Sequence, residues 1–158
     1  MSEARPYRIR HVIDSLGRGG AERLLCAYAP GLARLGHEVD VVVLQERNGN
    51  FMRQTLEEAG IRVIMAPVTR LRRLDQIRAL HRTLQQGAPD LLHLHLEFAS
   101  LLGTLSAVRT GTPAVATLHT LESPFDLGWG GVRRWLMYQA CAHLSDRLIC
   151  LTDRNARI

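Results

Sequence analysis

The stretch DSLGRGGAER, residues 14–23, places glycines where an apolar run gives way to a helical pattern. Glycines at a helix start expose backbone N–H groups, which bind oxygen-rich ligands such as phosphates or sugar hydroxyls. Two familiar phosphate loops fail here. A dinucleotide fingerprint begun at Gly17 finds Gly19, but then Glu22 where its third glycine belongs. The lysine-bearing phosphate loop is impossible because the chain contains no lysine. Glu46, near the end of the second strand, keeps a nicotinamide or flavin site open as a minor alternative, in the role of a ribose-binding acid. Glu22 suits the positive end of the helix dipole but repels a phosphate brought against it. Either it points away, or a ligand's hydroxyls lie nearer than its phosphates. A tight turn without a ligand is the plain alternative.

His93 and His95 alternate along a strand and therefore share one face. Such a pair invites a metal reading, yet no cysteine or carboxylate cluster completes a ligand set, and no metal is expected. His93 reads as a hydrogen-bonded core residue, and His95 lies nearer the carboxyl end of its strand. His119 ends a later strand, where a structural histidine is the ordinary reading. Glu97 and Glu122 fall at or just beyond strand ends. A retaining glycosidase would hold two carboxylates about 5 Å apart, and nothing in the spacing shows that. Cys26, Cys141 and Cys150 lie far apart among apolar neighbours and read as buried free thiols. Their odd number, with no apolar leader at the start, favours a reducing cytoplasm.

These groups need a scaffold. A chain of 158 residues, 46% hydrophobic and 22% charged, is enough for one globular domain with a sizeable core. All 20 basic residues are arginine, and the net charge is +5, so the surface suits carboxylates, phosphates and other anionic neighbours. Aromatics at 5%, with no recognition motif, argue against a nucleic-acid partner. No run of about 18 apolar residues occurs, so no segment is expected to span a bilayer.

Short β-branched runs predict strands at 8–14, 37–44, 61–67, 89–96, 113–119 and 146–151. Helical periodicity fills the gaps at 20–35, 51–60, 71–84, 98–109 and 131–144. The first helix shows Leu24, Leu25, Tyr28, Leu32 and Leu35 along one side, and Pro30 predicts a bend near Ala29. The alternation predicts an α/β fold: a Rossmann-like three-layer domain with a mostly parallel sheet, its sites at the carboxyl ends of the strands. Thr152 or Asp153 reads as a helix N-cap followed by about one turn, too short to stand alone. Residues 1–158 are therefore expected to be a piece of a longer protein.

Two surfaces stand out. Arg72, Arg73, Arg78 and Arg82, with Arg70 just before, line the outer side of the 71–84 helix. A solvated face is the default reading, and docking on anionic lipid the alternative. The segment WGGVRRWLMYQACAHL, 129–144, is apolar nearly all round and wants a partner on its second side. That partner is a second domain or, through Trp129, Arg133, Arg134 and Trp135, a membrane.

SLGRGGAERLLCAYAPGLARLGHEVDVVVL, PDLLHLHLEFAS, PAVATLHT and LSDRLICLT follow one another along nearly the whole chain. In that order and spacing the sequence resembles the opening of a family 4 (group 1) glycosyltransferase. The resemblance implies one half of a GT-B enzyme, in which two Rossmann-like domains face each other across a cleft. The second domain mainly holds the nucleotide-sugar donor, here a UDP- or GDP-sugar. The paired-glutamate motif and the basic donor clamp of that second domain are not found in this sequence, and a further strand usually follows the helix at Thr152. This piece alone is therefore expected to be inactive.

Carried over from the family, Gly19 and Gly20 approach donor phosphates and acceptor when the cleft closes. His119 contacts a hydroxyl of the transferred sugar and steadies charge as the glycosidic bond breaks. His95 shapes the acceptor pocket, and Thr120 meets the acceptor. The resemblance further implies retention of anomeric configuration, no metal, and no protein base, because the leaving diphosphate helps deprotonate the acceptor. It points to a glycan or lipid-linked acceptor in cell-envelope lipid or polysaccharide synthesis, at the cytoplasmic face of the membrane. A non-catalytic Rossmann-like binding module, or a subunit of a split glycosyltransferase, is the alternative.

Overall fold

The computed structural model describes residues 5–47, 49–70, 72–119 and 129–151, with the side chains of Trp129 and Arg133 left out. Strands and helices alternate throughout: β1 (Arg8–Ile13), α1 (Gly20–Arg34), β2 (Glu38–Val43), α2 (Met52–Glu58), β3 (Arg62–Met65), α3 (Leu74–Gln85), β4 (Leu91–His95), α4 (Glu97–Thr110), β5 (Ala114–Leu118), α5 (Trp129–Leu144) and β6 (Arg147–Cys150). All pairings are parallel, in the order β3-β2-β1-β4-β5-β6. The order reverses between β1 and β4, which opens a crevice at their carboxyl ends, the usual ligand site of such sheets.

Side chains alternate across the sheet, and each face builds its own core. Ile13, Val41 and Val43 pack with Leu25 of α1 and Leu56 of α2. Val12, Leu92, Leu94 and Ala116 pack on the other face with Leu80 and Leu84 of α3, Leu102 of α4 and Met137 of α5. Gly103 lets α4 sit close against β4, since a Cβ there would strike the side chain of Leu94. At the amino end of the sheet, Arg10 is only 4% exposed. Its fork donates twice to the Asp40 carboxylate, at 2.7 Å each, and also donates to the carbonyls of Thr83, Leu84 and Gln86 at the end of α3. A planar guanidinium does this where an ammonium could not.

Helix α1 spans Gly20–Arg34 with Pro30 inside it, the helix its periodicity predicts. Several expectations change. Leu24 (39% exposed) and Leu35 (75%) leave its inner side, which is held by Ala21, Leu25 and Ala29. Helix α3 starts at Leu74, so Arg72 and Arg73 precede it, and Arg73 pairs with Asp75. Leu71, Thr152 and Asp153 lie outside the described residues. Cys141 is buried, but Cys26 and Cys150 are only half-buried. Helix α5 buries Met137, Tyr138, Ala140 and Cys141 while Val132, Trp135 and Leu136 face outward, as its all-round apolar pattern requires.

Candidate active site

The glycine loop leaves β1 through Asp14, Ser15 and Leu16, and the β2–α2 connection fixes it there. Leu16 is fully buried, its N–H donates to Asn50 Oδ1 at 3.2 Å, and its carbonyl accepts the Met52 N–H at 3.0 Å. Gly19 and Gly20 are exposed at the start of α1, and no side chain caps that helix. The first-turn N–H groups therefore lack helical partners. Glu22 is 7% exposed and folds back under the loop. A Cβ on Gly19 would meet this carboxylate, which would have to shift to admit it, and the backbone angle there is ordinary.

Glu22 shares a cleft of about 360 Å³ with Asp14, Ser15, Arg47, Glu97 and His119, and Met137 and Tyr138 of α5 form a wall. The cleft lies at the carboxyl edge of β1, β4 and β5. Asp14 and Ser15 at the head of the glycine loop, Glu22 in the first turn of α1 and the imidazole after β5 thus border one space, while Gly19 and Gly20 lie outside its lining. Thr120 and Glu122 lie outside the described residues, and Glu46 is exposed beyond β2.

Asp14 went unnoticed as a site residue in the sequence, although it ends an apolar strand at the active edge. Its carboxylate accepts the N–H groups of Ala99 (2.7 Å) and Phe98 (3.2 Å) at the start of α4, tying β1 to α4 across the crevice. Burial pushes its pKa up to about 6, against the pull of those N–H groups. Between β4 and α4, Leu96 adopts φ 69° and ψ 178°, a backbone region almost confined to glycine. The strain sits in the peptide link between His95 and the cleft residue Glu97.

Four of the seven histidines gather beside this edge. His11 and His93 stand opposite one another in register, as do Ile13 and His95. The hydroxyl of Tyr28, from α1, reaches His95 Nε2 at 2.9 Å and the Nδ1 atoms of His11 and His93 at 3.3 Å each. His93 Nε2 meets Thr117 Oγ1 at 2.8 Å, the satisfied core environment expected of it. His95, 1% exposed, meets His119 Nε2 through Nδ1 at 3.1 Å. Burial holds all four rings in the neutral form: His11 falls to about 3, His93 to about 4, and His95 and His119 also shift downward.

Ligand atoms of His11, His93 and His95 lie within 4.8 Å of one another, a spacing a divalent metal could use. The Tyr28 hydroxyl already hydrogen-bonds a nitrogen of each ring. Among the described residues, no carboxylate or thiolate joins the group to offset a cation's charge.

The profile of Glycosyltransferase Family 4 matches residues 18–158. No protein of curated function matches the chain. Among solved structures, Anabaena HepE in complex with UDP-glucose superposes with a TM-score of 0.74 at 18% identity, over 94% of this chain and 39% of that one. A glycosyltransferase from Rickettsia africae gives 0.69 at 15%, over 95% and 38%. The UDP-N-acetylglucosamine 2-epimerase of Rickettsia bellii gives 0.62 at 15%, over 97% and 41%. The chain thus spans well under half the length of the structures it matches, and at these identities the likeness is one of fold. Among the described residues, no helix is long and apolar enough to cross a membrane.

Proposed function

The chain belongs to Glycosyltransferase Family 4, and from that premise we propose that it is the acceptor-side half of a retaining, nucleotide-sugar-dependent glycosyltransferase. One observation carries the reading: the cleft at the strand-order switch point brings Asp14 and Ser15 at the head of the glycine loop, Glu22 of the first turn of α1 and the His119 imidazole to the same walls. Glu22 decides what meets the loop. A buried carboxylate beneath Gly19 disfavours a phosphate pressed against it and favours hydroxyl donors, so the loop meets the acceptor's sugar hydroxyls. His119 meets a hydroxyl of the transferred sugar. A neutral imidazole has one N–H and one lone pair, so it can orient that hydroxyl without adding charge. The donor, a UDP- or GDP-sugar, is held by the other half of the GT-B clamp. HepE binds UDP-glucose on a related fold, which supports a nucleotide-sugar here.

The acceptor is a glycan or lipid-linked glycan of the cell envelope, met at the cytoplasmic face. Supporting this, Arg78, Arg82 and Arg109 surround a hollow of about 490 Å³ between α3 and α4, with Leu102 and Leu105 in its lining. That mixture suits an anionic headgroup above acyl chains.

The experiment is to join the chain to its donor-binding half and supply nucleotide-sugar and envelope glycolipid. The product is examined by NMR at the new anomeric centre. The reading predicts a new glycosidic bond with the donor's configuration retained. Inversion, or epimerisation of the nucleotide-sugar with no transfer, overturns it. Transfer that needs a separately encoded partner chain would identify a split enzyme.

A further inference from the structure

We propose that Tyr28 and His95 are positioning residues that fix His119 as its Nδ1–H tautomer, so that this imidazole meets the transferred sugar as a hydrogen-bond donor. The inference rests on the reading of His119 as the sugar-contacting group. Four neutral rings and one hydroxyl share five protons, and the geometry fixes where each proton sits, by a chain of constraints.

It starts at the buried end. His11 is fully buried, and among the described residues its Nε2 has no hydrogen-bond partner. A buried N–H left without an acceptor is rarer and costlier than a bare lone pair, so the proton of His11 sits on Nδ1. That Nδ1 lies 3.4 Å from His95 Nε2. Two N–H groups cannot face each other at such a distance, so His95 Nε2 is bare. The Tyr28 hydroxyl has a single proton, and its shortest contact, 2.9 Å, is to this same bare nitrogen.

The remaining positions follow. Tyr28 Oη accepts the Nδ1–H groups of His11 and His93 at 3.3 Å each, which uses both its lone pairs. His93 Nε2 then accepts the Thr117 hydroxyl at 2.8 Å. His95, bare at Nε2, carries its proton on Nδ1 and donates it to His119 Nε2 at 3.1 Å. His119 is left with its proton on Nδ1, the nitrogen that the chain of bonds does not use. Reversing the Tyr28–His95 bond would put two N–H groups head to head between His11 and His95, or strand a buried donor on His11. Every polar atom but one is satisfied in the first arrangement, and that one is a lone pair.

The tautomer of an imidazole is set by the bond its other nitrogen makes. Here that bond originates two side chains away, at Tyr28 of α1. His119 is thereby a donor toward its ligand and is not available there as a base, which agrees with a mechanism in which the departing diphosphate takes the acceptor's proton.

The test is a long-range proton–nitrogen correlation spectrum of the full chain labelled in its histidine rings. The expected result is one protonated nitrogen on His119, at Nδ1, with the same pattern on His11, His93 and His95. A protonated Nε2 on His119, or the averaged pattern of a freely exchanging ring, overturns the proposal. Two protons face His95 Nε2, from the Tyr28 hydroxyl at 2.9 Å and from His11 Nδ1 at 3.4 Å, so Tyr28→Phe combined with His11→Leu removes both. The double variant should give mixed tautomers at His119 and, in the assembled transferase, lower kcat about tenfold with donor KM within about twofold. An unchanged His119 tautomer in that variant overturns the relay. If the double variant does not fold, the wild-type spectrum still decides. The two readings fail separately: full transfer by His119→Ala removes the sugar contact and leaves the spectrum standing, whereas a wrong tautomer with an inactive His119→Ala removes only the relay.

Discussion

The histidines make stability depend on pH in a definite direction. His11 and His93 have folded pKa values of about 3 and 4 against 6.5 for an unperturbed imidazole, and His95 is lowered too. Between about pH 4 and 6.5 the unfolded chain binds protons that the folded chain refuses, so their contribution is complete above pH 6.5 and is lost as the pH falls. Asp14 runs the other way. Its folded value, raised from 3.8 to about 6, holds a proton that the unfolded chain has released, so its contribution falls as the pH rises through that range. The lowered imidazoles outnumber the one raised carboxyl, so stability rises with pH over this range. Urea unfolding at several pH values should therefore show stability climbing from pH 4.5 to 6.5, and His11→Gln should flatten the climb. A flat or falling profile would contradict the buried, neutral cluster.

Among the elements, the β4–α4 junction carries the clearest strain. Leu96 is held at φ 69°, ψ 178°, at a cost of order 1–3 kcal/mol for a residue with a Cβ. Ordinarily alanine is more stable than glycine at a given position. Here Leu96→Gly should be more stable than Leu96→Ala by about 1–2 kcal/mol, as measured by thermal or urea unfolding. The reverse order would show that the junction is relaxed. The strain holds Glu97 at the cleft directly after His95, so the glycine variant should also lower transfer while raising stability relative to alanine.

The elements themselves were legible in the sequence to within a few residues at each end. Strands such as EVDVVV and LLHLH are β-branched or apolar, and glycines at 36 and 60 mark helix ends with positive φ. Boundaries went astray where composition misleads. The LRRL run at 71–74 reads as helix, although α3 begins only at Leu74. The position of His119 followed from the end of its strand. The hub at Tyr28 did not, because its place in a repeating apolar pattern marks it as a core residue, and only the parallel register of β1 on β4 brings His11 and His93 beneath it. Such pairing joins residues some eighty positions apart, and no local pattern encodes it.

At the scale of the whole molecule, two surfaces carry the proposed reading. Val132, Trp135 and Leu136 of α5, with Leu148 and Ile149 of β6, stay exposed, apolar surface of the kind that another protein element covers. The arginine face of α3 behaves differently. Arg78 and Arg82 should carry the chain to vesicles rich in phosphatidylglycerol and leave it unbound on phosphatidylcholine. Each arginine near an anionic surface contributes about 1 kcal/mol. Arg78→Glu with Arg82→Glu should therefore cut the bound fraction at least tenfold, and raised salt should do the same. Equal binding to both vesicle types would contradict a lipid-facing role.

The central claim is that the glycine loop and His119 serve one ligand in one cleft. Its most direct measurement is steady-state transfer by His119→Ala in the assembled enzyme, with folding checked by circular dichroism. Loss of an interaction made chiefly in the transition state predicts a fall in kcat of roughly a hundredfold with little change in donor KM. A folded His119→Ala enzyme that transfers sugar within about twofold of the parent rate would contradict it.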